Sequence, residues 1–238
     1  MIELAEVQPG MRVLDLACGP GNITRLVAER VSPGGFCAGI DLARGMIALA
    51  GRDRPVGTDF AVMDMERLGF ADHAFDVAVC GHGLQFVPDL RQALREAARV
   101  LRPRSVLAAS VPAPSPDDTV WDAVDEVVGR YLPPAPAAVD ESATRKTIGD
   151  ARAFQAAALA AGFRDAEVET VVEEVVWESA HQLVSKLLSW WRFADRIEAL
   201  DDGMRQRILD EATSAVARSY PGAITTHGRN LVLVARTA

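Results

Sequence analysis

The stretch that decides the fold is "LDLACGPGN", Leu14–Asn22. An apolar run ends in an acid, Asp15, and two glycines, Gly19 and Gly21, follow with a proline between them. A glycine turn directly after a buried strand lets backbone approach a ligand more closely than any side chain allows. A dinucleotide fingerprint would place a third glycine three residues after Gly21, where this chain has Thr24. A carboxylate beside a pyrophosphate would repel it, so Asp15 favours a ligand that presents positive charge there. A phosphate-cradling loop of the GK[ST] type is excluded, because no such triplet follows.

Around this turn the first half of the chain alternates strand and helix signals. "MRVLDLA" (Met11–Ala17) reads as a strand, Asn22–Val31 as a helix, "FCAGID" (Phe36–Asp41) as a second strand and Arg44–Gly51 as a short helix. "GTDFAVMD" (Gly57–Asp64) and "AFDVAVC" (Ala74–Cys80) make the third and fourth strands. Asp89–Leu101 has a helical apolar face, and "SVLAASV" (Ser105–Val111) is a fifth strand. Short apolar strands alternating with helices predict an α/β fold with a mostly parallel sheet covered on both faces. Then come two proline-rich stretches, Pro112–Pro116 and Leu132–Glu141, flanking a helix-like segment, Thr119–Leu132. A helix at Ala151–Ala161, a long strand at Asp165–Trp177, a helical stretch at Ser179–Ser219 and a closing strand at Asn230–Thr237 complete the pattern. The expectation is one Rossmann-like, doubly wound, seven-stranded domain with an antiparallel last strand and a helical cap. Its core would comprise residues 1–111, 150–177 and 228–238, with cap insertions at about 112–149 and 178–227.

Bulk properties narrow the function. Acids outnumber bases by 33 to 25, giving a net charge of −8 and arguing against a nucleic-acid surface. No apolar run reaches the roughly 18 residues of a membrane span, and the N-terminus lacks the pattern of a signal peptide. Cys18, Cys37 and Cys80 are widely spaced and without a CxxC pair, so neither a disulfide framework nor a metal site is expected. They read as small buried hydrophobes of a cytoplasmic protein. A monomer and a homodimer are both open.

With these residues in view, "DLACGPG" resembles the D/E-x-x-x-G-x-G motif of class I S-adenosylmethionine-dependent methyltransferases. The resemblance continues through Asp41 at the end of the second strand, "MDME" (Met63–Glu66) at the end of the third, "FDVAVCGHGLQFVPD" (Phe75–Asp89) and "REAARVLRP" (Arg95–Pro103). It is strong over Val13–Val111, and the subgroup resembled is the small-molecule one of ubiquinone and menaquinone biosynthesis and related natural products. The family's cofactor is S-adenosylmethionine, leaving as S-adenosylhomocysteine. The resemblance implies that Asp15, Ala17, Gly19 and Gly21 seat its amino-acid end, with Asp15 near the ammonium. Asp41 would accept the ribose hydroxyls. Asp64, or Glu66 in its place, would take the adenine amino group, with Met65, Leu42, Met46 and Cys80 packing around the nucleoside. The methyl would pass by in-line displacement to the oxygen, nitrogen or carbon of a small apolar or aromatic acceptor.

His82 departs from the family, whose members commonly carry glutamine there. It is either a base for a substrate hydroxyl or amine, or a hydrogen-bonding partner of nearby backbone. His227 and His181 are alternative bases. Trp121, Tyr131, Trp177, Trp190, Trp191 and Phe193 are individually core residues and collectively candidates to line a cap over the acceptor. Relatives commonly have a few dozen residues of helix before the first strand, where this chain has only Met1–Gly10. Either the chain is trimmed there, or Pro112–Glu141 and the late helices supply the cover. Two other readings stay open: a family member that binds the cofactor without methylating, and an NAD(P)-dependent oxidoreductase on a similar sheet.

Overall fold

Alternate residues of the first strand face opposite sides of a sheet, and this sets the layers. In the computed structural model, which describes residues 1–113, 118–133, 143–190 and 193–238, that strand is β1 (Arg12–Leu16). Leu14 and Leu16 pack into one core cluster, with Leu94, Ala97, Phe154 and Ala158. Val13 packs into another, with Val27, Val31, Val77 and Val79. Asp15 shares its side of the pleat with Val13 and is fully buried. The helix on that side is α1 (Asn22–Val31), whose buried positions Thr24, Val27, Ala28 and Val31 form one helical stripe.

The strands β2 (Phe36–Asp41), β3 (Thr58–Val62), β4 (Phe75–Gly81) and β5 (Leu101–Pro112) extend the sheet on either side of β1. Together with β6 (Asp165–Trp177) and β7 (Ile224–Arg236) they give the order β3-β2-β1-β4-β5-β7-β6. The pairs β1/β2, β1/β4, β2/β3 and β4/β5 are parallel, and β7 runs antiparallel to β5. The expected seven-stranded, mostly parallel sheet with an antiparallel last strand is therefore present. The order reverses between β1 and β4, and a crevice opens at the carboxyl ends of strands at such a switch.

The intervening helices are α2 (Arg44–Ala50), α3 (Leu90–Val100), α4 (Asp118–Tyr131), α5 (Ala143–Ile148) and α6 (Ala151–Ala160). The expected helical stretch at Ser179–Ser219 comprises α7 (Ala180–Leu188), α8 (Ala194–Glu198) and α9 (Asp202–Ser219). Asp201 starts α9 anew by accepting the Met204 N–H at 2.9 Å. β7 begins six residues before the expected Asn230, at Ile224.

The chain divides into two compact units. One comprises Met1–Ala113, Asp140–Val171 and Asn230–Ala238; the other comprises Pro114–Val139 and Val172–Arg229. α5 lies in the sheet unit, where the Thr144 hydroxyl donates to the Val87 carbonyl at 2.9 Å. The second unit has its own core, built on Val124, Val127, Leu183, Val184, Ile208, Ala212 and Val216. The proline-rich residues 114–117 and 134–142 lie outside the described residues, as does Trp191. No described helix is long and apolar enough to cross a membrane.

Gly39 of β2 pairs with Asp15 and with Phe60 of β3. A methyl group there would sit 2.8 Å from the Phe60 ring and 2.9 Å from the Thr24 hydroxyl. Gly39→Ala is expected to lower stability by about 1–3 kcal/mol through overpacking. Urea unfolding measures this, and an unchanged midpoint would show that the space is not shared.

Candidate active site

At the carboxyl end of β1 the chain must reverse into α1 within a few residues. Ala17, Gly19 and Gly21 adopt left-handed φ values of 54°, 55° and 86° to do so. Gly21 is the residue before the helix and offers no side-chain cap, so the first N–H groups of α1 have no side-chain partner from it. A Cβ on Gly19 would meet nothing within 4 Å, which marks open space over the turn.

The turn brings Thr24 back over the strand it came from. Its hydroxyl donates to Asp15 Oδ2 at 2.6 Å, while Asp15 Oδ1 is buried with no hydrogen-bond partner. Burial pushes the Asp15 carboxyl up to about 7; the Thr24 hydrogen bonds pull the other way, and the charge of Asp41 adds to the rise. A buried acceptor without a donor costs free energy, so this site fits a ligand that brings one.

Asp41 ends β2 and faces the same turn. Its Oδ2 accepts the Gly19 N–H at 2.9 Å and its Oδ1 the Ala43 N–H at 2.8 Å. Each oxygen keeps one further lone-pair site. Leu42 and Met46 follow, exposed at 69% and 41%, large apolar groups with uncovered surface beside the acid. Asp64 is exposed two residues beyond β3, and its side chain accepts the Glu66 N–H at 2.9 Å. Glu66 is committed elsewhere: its carboxylate accepts the Asp89 N–H at 2.7 Å, and its carbonyl accepts from Gln92. Met65 packs part-buried against the main core.

The loop after β4 touches the loop after β1. A Cβ on Gly83 would lie 2.5 Å from Ala17 Cβ and 2.8 Å from Cys80 Sγ. Cys80 is fully buried, and burial pushes its thiol up to about 12, so it packs as a neutral group. Cys18 is raised to about 12 for the same reason, and Cys37 higher still. Among the described residues no cluster of His, Cys, Asp or Glu could hold a metal ion.

His82 follows β4 in a left-handed conformation, φ 55°. Its N–H donates to the Ser110 carbonyl at 2.9 Å, and its carbonyl accepts from Gln85 Nε2 at 2.8 Å. Its ring Nε2 lies 2.8 Å from Asn230 Oδ1. His227 belongs to the other unit, where it lies 4.0 Å from Glu174, and His181 is exposed on α7. Of the aromatic set, Trp121 and Trp190 stack at 4.8 Å, Trp177 donates to Thr226, Tyr131 bonds Glu211 and Phe193 is buried, all in the second unit.

Three contributors escaped the sequence reading. Thr24 counted there only as a missing glycine, although its place on the stripe with Val27, Ala28 and Val31 points it at the sheet. Gln85 is 6% exposed with a buried Oε1 that has no partner, and Asn230 lies mid-strand in β7, just before the apolar run Leu231–Ala235. Asn230 carries no local signal, because its partner is 148 residues away.

A family description, "Methyltransferase domain", matches residues 14–109. A 2-phytyl-1,4-naphtoquinone methyltransferase from Synechococcus elongatus is 33% identical over 179 residues, covering 70% of this chain and 76% of that protein. A demethylmenaquinone methyltransferase from Listeria monocytogenes serotype 4a is 33% identical over 138 residues, 56% of this chain. The match spans only 57% of that relative's length. Two solved structures share the fold: the YcgJ protein from Bacillus subtilis (TM-score 0.55, 19% identity, 100% of this chain and 96% of that one) and the [4+2]-cyclase SpnF (TM-score 0.56, 20% identity, 99% and 79%).

Between the ordinary aspartate value of 3.8 and about 7, folded Asp15 holds a proton that the unfolded chain has released. Stability should therefore fall as pH rises through that window and level off above it. In urea titrations at pH ~5 and pH ~8 the wild type should lose stability at the higher pH, and Asp15→Asn should lose much less. Equal losses would remove the burial argument.

Proposed function

Because the chain belongs to the class I S-adenosylmethionine-dependent methyltransferases, we propose that it methylates a small, quinone-like aromatic acceptor from that cofactor. The observation that carries the reading is the buried, unpartnered oxygen of Asp15 at the sheet's switch point, beside an open glycine turn. A pyrophosphate would bring negative charge against it. An amino-acid nucleoside brings an ammonium, which supplies the missing donor and favours the ionised carboxylate.

The remaining roles follow from the lone pairs that the chain leaves open. Asp41 uses one acceptor site on each oxygen to hold the turn and has one left on each for a ribose hydroxyl. Leu42 and Met46 offer apolar surface to the base, and Asp64 an exposed carboxylate to its amino group. The uncapped start of α1 suits the ligand's carboxylate. When bound, the cofactor supplies an electrophilic methyl group on a sulfonium, with a neutral thioether as leaving group. The chain contributes orientation of the acceptor, and His82 accepts the proton of an acceptor hydroxyl. The quinone-like class rests on the names of the demethylmenaquinone and phytyl-naphthoquinone relatives. A cytoplasmic setting fits three free, buried cysteines.

Titration calorimetry with S-adenosylmethionine tests the seat. Asp41→Ala removes the acceptors of two ribose hydroxyls, so affinity should fall about 10–100-fold; unchanged affinity would sink the assignment. A coupled assay for S-adenosylhomocysteine tests the reaction across hydroquinones, phenols, amines and lipid-like acceptors. Product is expected with hydroquinones. Turnover of amines alone would overturn the acceptor class. Cofactor binding with no product from any acceptor would overturn methyl transfer.

A further inference from the structure

His82 is held through its backbone and through its ring. A residue other than glycine is strained in the left-handed region, and it persists there where its surroundings over-determine it. Here the surroundings are three hydrogen bonds, one to each part of the residue: backbone N–H to Ser110, backbone carbonyl from Gln85, and ring to Asn230.

The ring contact spans the sheet. Gly81 pairs with Ser110 of β5, and Asn230 of β7 pairs with Pro112 of β5, so His82 and Asn230 belong to strands on either side of β5. Strands two apart lie about 10 Å from each other. No backbone contact could bridge that gap, and the left-handed turn at His82 is what sends its ring across. Both residues lie in the sheet unit.

The contact couples the tautomer of the ring to the orientation of the amide. In the orientation the amide has here, its oxygen faces Nε2 and can only accept, which pairs with hydrogen on Nε2; the amide turned over would instead donate to a bare Nε2. With hydrogen on Nε2, the other nitrogen of a neutral imidazole, Nδ1, is the acceptor. The amide is uncharged, so the same bond survives when the ring becomes imidazolium.

We propose that Asn230 is a positioning residue that holds His82 in the Nε2–H tautomer, presenting Nδ1 as the acceptor for the hydroxyl proton of an aromatic substrate. The inference rests on the reading of His82 as the base. In the step concerned, the substrate O–H bond breaks and its electron pair stays on the substrate. The proton binds Nδ1, and the imidazolium returns it to water after turnover. The pairing selects acceptors with an ionisable hydroxyl over amines that are already protonated.

Nitrogen-15 NMR of the full chain, labelled in its histidines and without cofactor, reads the tautomer directly at pH ~8, where an ordinary imidazole is neutral. The His82 signals are assigned by their loss in His82→Ala. The wild type should carry its proton on Nε2 with slowed solvent exchange, and Asn230→Asp, which keeps an acceptor oxygen, should do the same. Asn230→Leu should show both tautomers with faster exchange. With 1,4-naphthohydroquinone as acceptor, Asn230→Leu should lower kcat about tenfold and His82→Ala about 100-fold, with cofactor affinity unchanged. Should the leucine variant fail to fold, Asn230→Ala carries the same comparison. A proton on Nδ1 in the wild type, or wild-type tautomer and kcat without the amide, would overturn the inference. If His82→Ala keeps full kcat, it is the base reading that falls; if His82→Ala is impaired while Asn230→Leu matches wild type in both measurements, only the positioning role falls.

Discussion

The hydrogen bond from Thr24 to Asp15, 2.6 Å long and closed to solvent, is the contact around which the sheet edge is arranged. A carboxyl in the middle of a parallel sheet is expensive to bury, and one donor does not satisfy it. The bond requires α1 to begin directly over β1, which in turn forces the reversal through Ala17, Gly19 and Gly21. It also requires an empty position on β2, because the Thr24 hydroxyl and the Phe60 ring fill the volume beside Gly39. A strand, a helix, a glycine and an aromatic ring on four elements thus share one small space. Phe60 also approaches the Cβ position of Gly21 to 3.0 Å, so the ring braces the turn as well.

Strain is concentrated where this arrangement meets the neighbouring strand. Ala17 and His82 both have left-handed backbones, and they lie just beyond the carboxyl ends of β1 and β4, the pair that flanks the switch point. Gly83 leaves room for the two loops to touch, since a side chain there would collide with Ala17 and Cys80. Other left-handed residues, Glu6, His73 and Arg104, occur away from the switch, so strain alone does not mark the site. His73 is likewise tied through its N–H, carbonyl and ring, to Arg99, Arg102 and Leu101; what sets His82 apart is its place at the switch point and a ring partner, Asn230, on β7.

Local features around the turn after β1 were legible in the sequence because their physics is local. Helix α1 and strands β2 and β6 have the bounds the residues suggested, since an acid, a glycine pair or a proline punctuates each end. Asp15, Asp41 and the two glycines stand within one turn of chain or one strand of each other, and Asp41 proves to grip Gly19 directly. Contacts across long separations were not legible. Glu66 resembled an alternative to Asp64, yet its carboxylate holds the N–H of Asp89, ahead of α3, 23 residues on. Asn230 looked like the polar start of a buried strand, and only the placement of β7 beside β5 gives it a partner. The early start of β7 was hidden for a similar reason, because "ITTHGR" carries no apolar alternation of its own and its ladder is set by neighbouring strands.

This difference between local and distant contacts also separates the two halves of the functional reading. The proposed seat for an amino-acid nucleoside, from Asp15 to His82, falls inside the span matched by the methyltransferase family, residues 14–109. Its groups come from the carboxyl-terminal parts of four adjacent strands and the loops that follow them. The choice of acceptor is less confined. The base candidate sits at the edge of that span, but the group that orients its ring comes from the far end of the chain, at Asn230. An amide in that place orients the ring through one hydrogen bond and brings no charge. The proposed proton transfer to His82 suits a substrate that gives its proton up readily. A hydroquinone hydroxyl, whose charge spreads into the ring as the proton leaves, meets that condition better than an aliphatic alcohol.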